Sequence, residues 1–314
     1  MPPVRWSLSK AALVGLNLVI FFLLLRWTAH NIDFARLVGY LAEIPVWAIV
    51  GSLAIYMATL GLYGLRMALF LGRGFFVAFA VVSIGYALNA LIPLRLGEAM
   101  KIILAHRLFQ LPMTLLFSAS VAEKLVDVFK LLLMGVVVGV FNAGEFTQVG
   151  VLLPILIVAA LAASVIVLFR VFIVHIIRLI PKRGRLRRIS IELHKHAGTY
   201  PMTQILLITV GIWILNIALV YFTINTFLPG ITFGILGAVT LFLILALAVA
   251  VPSAPGSFGL FEAGVVAYLT QKMGVGNEAA LAAAVIFHLV ISLPQLILTG
   301  ILLLNKGSLV KLRP

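Results

Sequence analysis

Apolar residues run along this chain in long blocks broken by proline and glycine, and the block lengths predict the elements. Ala11 to Trp27 reads as a first membrane span. Arg5 and Lys10 precede it as in a signal peptide, but no small-residue cleavage site follows, so a retained span is expected. Asn31 to Glu43 has Phe34, Leu37, Val38 and Leu41 at helical spacing and Asp33, Arg36 and Glu43 elsewhere, the pattern of a helix lying in the interface. Pro45 opens an uncharged second span to Leu65, which Arg66 and Arg73 close with positive charge. Phe75 to Ile92 and Glu98 to Leu108 are two further helices. The second is shorter than the roughly 20 residues a crossing needs, so the pair is expected to form a hairpin that enters and leaves on one side.

Pro112 to Phe141 then reads as one long helix, and Val151 to Phe169 as a span after the loop Asn142 to Gly150. From Ala197 to Phe261 there is no Asp, Glu, Lys or Arg. That leaves room for a span from Met202 to Thr226, a turn at Pro229-Gly230, and a helix from Phe233 to Val251. The break Pro252 to Gly259 precedes a short helix, Leu260 to Met273, and Asn277 to Leu304 is the last span.

Composition fixes the solvent of these helices: 63% of residues are hydrophobic and 10% charged, whereas soluble domains carry about 25% charged residues. The expected fold class is all-α, a polytopic membrane helix bundle forming a single transmembrane domain over 1–314. The net charge of +14 would suggest nucleic acid in a soluble protein. Here most of it falls in short loops and tails, as the positive-inside rule expects, so no nucleic-acid partner is inferred. The basic stretch Arg170 to Lys195, densest over about 178–198, is the strongest cytoplasmic mark, and the loop Asn142 to Gly150, with Glu145 and no cation, is expected outside. Both termini are then cytoplasmic, in a prokaryotic plasma membrane. Counting crossings divides the chain into halves of about 1–141 and 151–305, each reading span, span, broken hairpin, span, in opposite directions. Such an inverted repeat points to a transporter's binding site at its interrupted segments; the competing reading is two unrelated proline-kinked helices. The absence of cysteine excludes disulfides, thiolate metal sites and a cysteine nucleophile.

The two breaks hold the candidate chemistry. In Asn89 to Lys101, Arg95 offers a planar fork suited to phosphate, Lys101 a point charge, and Glu98 a carboxylate at a helix start, where it serves as a cap or as a ligand. A charged side chain costs about 2.5–3.5 kcal/mol at the centre of a spanning helix, so such residues normally mark function. Glu123, Asp127 and Lys130 share one helix face, with Lys124 about 100° round; they are either substrate contacts or a self-neutralising ion-pair cluster. Glu262 is the one formal charge between Lys195 and Lys272. It is expected to pair with Arg95, bind a cation, or carry a proton. His288 reads as a hydrogen-bonded packing residue. There is no H-E-x-x-H, Walker loop or G-x-S-x-G, so no catalytic residue, metal or cofactor is expected.

The series Asn89, Pro93, Arg95, Gly97, Glu98, then E-K-x-x-D (Glu123, Lys124, Asp127), then P-G-S-x-G-x-F-E (Pro255, Gly256, Ser257, Gly259, Phe261, Glu262) resembles the lysylphosphatidylglycerol synthase transmembrane-region family. The resemblance extends from about Ala11 to Leu304. It implies a flippase-like module. The breaks and the buried charges themselves give Asn89, Arg95, Glu98, Lys101, Glu123, Lys124, Asp127, Lys130, Ser257 and Glu262 as the expected substrate and translocation residues. In two-part members a cytosolic synthase domain makes the aminoacylated lipid. This chain reaches Pro314 without one and is not expected to aminoacylate lipids. Three functions follow as expectations. The first is a transporter moving a phospholipid, anionic or zwitterionic, through a polar cavity between the two broken hairpins, with proton coupling and homo-oligomerisation left open. The second is an integral-membrane enzyme acting on a lipid phosphate or lipid-linked sugar. The third is a non-catalytic membrane partner presenting the basic segment.

Overall fold

The computed structural model describes residues 32–92, 96–142, 200–250 and 254–304. The first span, the return span Val151 to Phe169, the basic segment and the C-terminal tail lie outside the described residues, as does the loop Asn142 to Gly150 beyond its first residue. Within them the protein is helical with no strand. Helix α1, Phe34–Glu43, is capped by Asp33, whose carboxylate accepts the N–H groups of Ala35 and Arg36 at 2.9 and 3.2 Å. It buries no residue, and its Phe34 and Val38 are exposed, as suits a helix whose apolar face meets lipid.

The remaining helices are α2 Val46–Leu71, α3 Phe75–Leu91, α4 Gly97–Phe109, α5 Met113–Asn142, α6 Met202–Phe227, α7 Ile235–Ala250, α8 Leu260–Met273 and α9 Asn277–Leu304. A 3-10 turn, Pro255–Ser257, lies between α7 and α8. At about 1.5 Å per residue, α2, α6 and α9 are each about 40 Å long, enough to cross a hydrocarbon core of about 30 Å, and all three are apolar enough to do so. Helices α3, α4, α7 and α8, with 17, 13, 16 and 14 residues, are shorter than a crossing requires. Helices α3 and α4 flank the first break, and α7 and α8 the second.

Burial departs from that of a soluble protein in two ways. Phe76, Leu132, Leu207, Ile214 and Ile297 are exposed, while Arg66, Lys101, Glu123, Lys130, Glu262 and His288 are buried. Large apolar side chains outside, with the buried charges set within an otherwise apolar core, is the arrangement lipid selects, and the protein is an integral membrane helix bundle.

The described residues form two compact units. One comprises those up to Met57, Ile84–Met100 and Ala218–Gly300; the other comprises Ala58–Ser83, those within Lys101–Ile217, and α9 from Ile301. Each draws on both halves of the chain.

The sequence pattern ends the second span at Leu65, with Arg66 as a cytoplasmic boundary mark. The structure corrects this: α2 runs to Leu71, and Arg66 is fully buried within it. Met67, Phe70 and Leu71 are buried after it, and the helix stops at Gly72, whose φ of +60° only glycine adopts cheaply.

Candidate functional site

Among the described residues two polar clusters stand out, one in each unit. In the first unit the two chain breaks meet. Helix α4 begins against the end of α3 at Gly97, where a Cβ would collide with the backbone nitrogen and Oδ1 of Asn89 and with the Leu88 carbonyl carbon. Asn89 Nδ2 donates to Glu98 Oε1 across this contact at 3.2 Å. Glu98 therefore ties α4 back to α3 from the first turn, where the helix dipole also favours its charge. Arg95, with Pro93, lies outside the described residues.

The second break is held in an unusual backbone. Gly256, Ser257 and Gly259 have φ of +64°, +60° and +87°; for the serine, a conformation of this kind costs on the order of 1–3 kcal/mol and persists only where surroundings enforce it. Glu262, in the first turn of α8, reaches back with Oε2 to accept the Gly259 N–H at 2.7 Å, one half of a capping box. Its Oε1 lies 2.5 Å from His288 Nδ1 on α9. The other ring nitrogen, Nε2, lies 3.0 Å from the Gly256 carbonyl oxygen. The rings of Phe258 and Phe261 stack on the imidazole at 4.4 and 4.5 Å between centroids. Gly256 also abuts the first break: a Cβ there would sit 3.4 Å from the Ala90 carbonyl oxygen.

The second unit holds a network of five charges from three helices. Arg66 Nη2 lies 2.9 Å from Asp127 Oδ1 and 3.6 Å from Glu123 Oε1. Lys101 Nζ approaches Glu123 Oε2 at 3.4 Å, and Lys130 Nζ approaches Asp127 Oδ1 at 3.6 Å. The ring of Tyr63 lies 5.1 Å from the Arg66 guanidinium carbon and 5.9 Å from Lys130 Nζ, so both cations also meet a π face. Removing one ion from water costs several kcal/mol, which close opposite charges offset only when well placed. Here Arg66, Lys101 and Lys130 close on Glu123 and Asp127.

Glu123, Asp127 and Lys130 do lie on one face of α5, with Lys124 beside them and half-buried. Lys101, read as a point charge for phosphate, is engaged by Glu123. Glu262 pairs with His288, where the sequence pattern suggested Arg95. Ser257 is buried in the strained turn. Arg66, Tyr63 and His288 were missed as site residues. The signal for Arg66 was the apolar run beyond it, Met67 to Leu71; for His288 it was a titratable ring inside an otherwise uncharged span.

A family model described as Lysylphosphatidylglycerol synthase TM region matches residues 14–299 of the chain. Among curated proteins, none matches it.

Proposed function

The chain belongs to the lysylphosphatidylglycerol synthase TM region family, and from that premise we propose that it is a transporter that moves a phospholipid headgroup across the membrane at its two broken hairpins. The observation that carries this reading is the buried charge network, in which Arg66, Lys101 and Lys130 meet Glu123 and Asp127 inside the bundle. Packing alone does not require such a network, since membrane helices associate through small residues at far lower cost. Cations gathered in a water-poor interior attract a phosphate, and Arg66 carries a planar fork of the kind that matches one. The meeting of the two breaks adds support. Irregular backbone at membrane depth is tolerated where it lines a cavity or is buried in protein, and here both breaks carry a carboxylate, Glu98 and Glu262.

The same network favours transport over catalysis. An enzyme acting on a lipid phosphate needs an acid or base free to exchange a proton with substrate, whereas Glu123 and Asp127 are engaged by cations. The proposed setting is the prokaryotic plasma membrane, with both termini cytoplasmic. Single cysteines at Asn142, Lys195 and Ser308 of this cysteine-free chain test that orientation: an impermeant thiol reagent applied to intact cells is expected to reach Asn142 alone, and the reverse pattern overturns it.

The function is tested by reconstituting the protein into vesicles of phosphatidylethanolamine and phosphatidylglycerol that carry a trace of headgroup-labelled phosphatidylglycerol. An impermeant quencher added outside then reports how much label has crossed. The expected result is loss of signal beyond the outer-leaflet share, faster than in protein-free vesicles. Equal traces with and without protein would overturn the reading.

A further inference from the structure

The hydrogen bonds of His288 allow its protons to be counted. Nε2 faces the Gly256 carbonyl oxygen, which can only accept, so Nε2 carries a proton. Nδ1 and Glu262 Oε1 are hydrogen-bonded, and such a bond holds one proton between two atoms that can each accept. That proton either sits on Nδ1, making an imidazolium beside a carboxylate, or sits on Glu262, making a neutral acid that donates to a neutral ring. The two arrangements hold the same number of protons and the same heavy-atom contacts. Oε2 accepts from the Gly259 N–H in both.

Loss of one proton to water breaks this equivalence. Glu262 is then a carboxylate and His288 keeps a single N–H. If that hydrogen is on Nε2, the Nδ1 lone pair faces a full negative charge at 2.5 Å. If it is on Nδ1, the carboxylate is satisfied and the Nε2 lone pair faces the Gly256 carbonyl oxygen instead. Repulsion from a carboxylate exceeds repulsion from a carbonyl dipole, so the second arrangement wins and the contact to Gly256 is lost. We infer that Glu262 and His288 together form a proton-binding site whose bound proton latches the second break, and whose deprotonation releases the Gly256–Ser257 turn from α9.

The turn is built to respond. Gly256 and Ser257 both have positive φ, and the serine persists there only while its surroundings hold it. The His288 Nε2 bond ties that turn to a spanning helix. Gly256 also packs on the Ala90 carbonyl of the first break, so a released turn withdraws from the other hairpin as well. Few other titratable groups face the site. Among the described residues α7 contributes none, the turn contributes none, and α8 contributes Glu262, its Tyr268 standing edge-on to Phe233 and its Lys272 being exposed at the far end. Helix α9 contributes His288, its other titratable residue, Glu278, accepting the Asp33 N–H in the first turn. The acid of the first break, Glu98, accepts from Asn89. The phenyl rings of Phe258 and Phe261 stack on the imidazole, so the ring can change charge without a change in packing.

The assignment deepens the lipid-transport reading, yet it is tested without any lipid moving, so each can fail separately. The full-length chain, which has no cysteine, receives one at Ser257, a buried position in the turn. Labelling by a maleimide is followed in nanodiscs at pH 6 and pH 9, with rates divided by those of a cysteine at exposed Gln271 to remove the reagent's own pH dependence. The normalised rate is expected to rise about tenfold with pH, the order of change that loss of a single hydrogen bond produces. Glu262→Gln should stay at the low rate at both values, because an amide donates to Nδ1 and accepts from Gly259 as the protonated acid does. His288→Phe should stay at the high rate at both, since it keeps an aromatic ring and loses both bonds. Should His288→Phe fail to fold, the near-isosteric Glu262→Gln decides: a pH response equal to that of the parent overturns the site. A parent whose normalised rate does not change with pH also overturns it.

Discussion

Around Arg66, five charged side chains from α2, α4 and α5 are held by one another; around Glu262, a single carboxylate is held by one imidazole and one backbone N–H. The first site satisfies charge with charge, so it is a network in which Arg66 touches both acids. The second satisfies charge with hydrogen bonds, and its histidine is itself bonded to the backbone of a break. The difference separates two costs. Removing a member of the network leaves an opposite charge buried without compensation, whereas replacing Glu262 by its amide removes its capacity to ionise and leaves the bonds in place. The network should therefore show its importance in stability, and the break in activity at constant stability.

The largest effect is expected at the hub. Arg66→Leu leaves two carboxylates against two lysines that each reach one of them, and should cost about 3–5 kcal/mol in unfolding from mild detergent, with Arg66→Lys recovering part of it. An Arg66→Leu protein as stable as the parent would remove the network from the account. Next comes Gly97→Ala, whose methyl meets the backbone of α3. Overpacking of this kind costs about 1–3 kcal/mol, so a lowered melting temperature is expected, and an unchanged one would mean that α3 and α4 are not held at this contact. Glu262→Gln follows, with a stability change of at most about 1 kcal/mol because the bonds to Gly259 and His288 survive. A loss as large as that of Arg66→Leu would erase the contrast between the sites. The smallest effect is expected for Glu278→Gln: the 3.4 Å contact with the Asp33 N–H is exposed, and the melting curve should shift by no more than about 0.5 kcal/mol.

Much of the bundle was legible because lipid imposes strict lengths and excludes loose charge. Leu260–Met273 and Asn277–Leu304 fall where proline, glycine and the apolar blocks predict them. The shared face of Glu123, Asp127 and Lys130 follows from helical spacing. What the sequence concealed was partnership between distant segments. Arg66 looked like a boundary because cations usually end spans, and only the carboxylates on α5 explain why it can be buried. The pairing of Glu262 with His288 has no local signature either, since 26 residues and a helix turn separate them. Tertiary contacts decide such roles, and periodicity within one helix does not carry them.

The account stands or falls on lipid movement counted per folded molecule. Asp127→Asn and Glu262→Gln would be reconstituted beside the parent into phosphatidylethanolamine and phosphatidylglycerol vesicles containing headgroup-labelled phosphatidylglycerol. The fraction of folded protein would be fixed by size exclusion and by the melting curve. Both variants are expected to lose at least about tenfold in rate, a change equivalent to about 1.4 kcal/mol in the barrier, with Glu262→Gln doing so at parental stability. A Glu262→Gln protein that moves lipid at the parental rate would contradict the central claim.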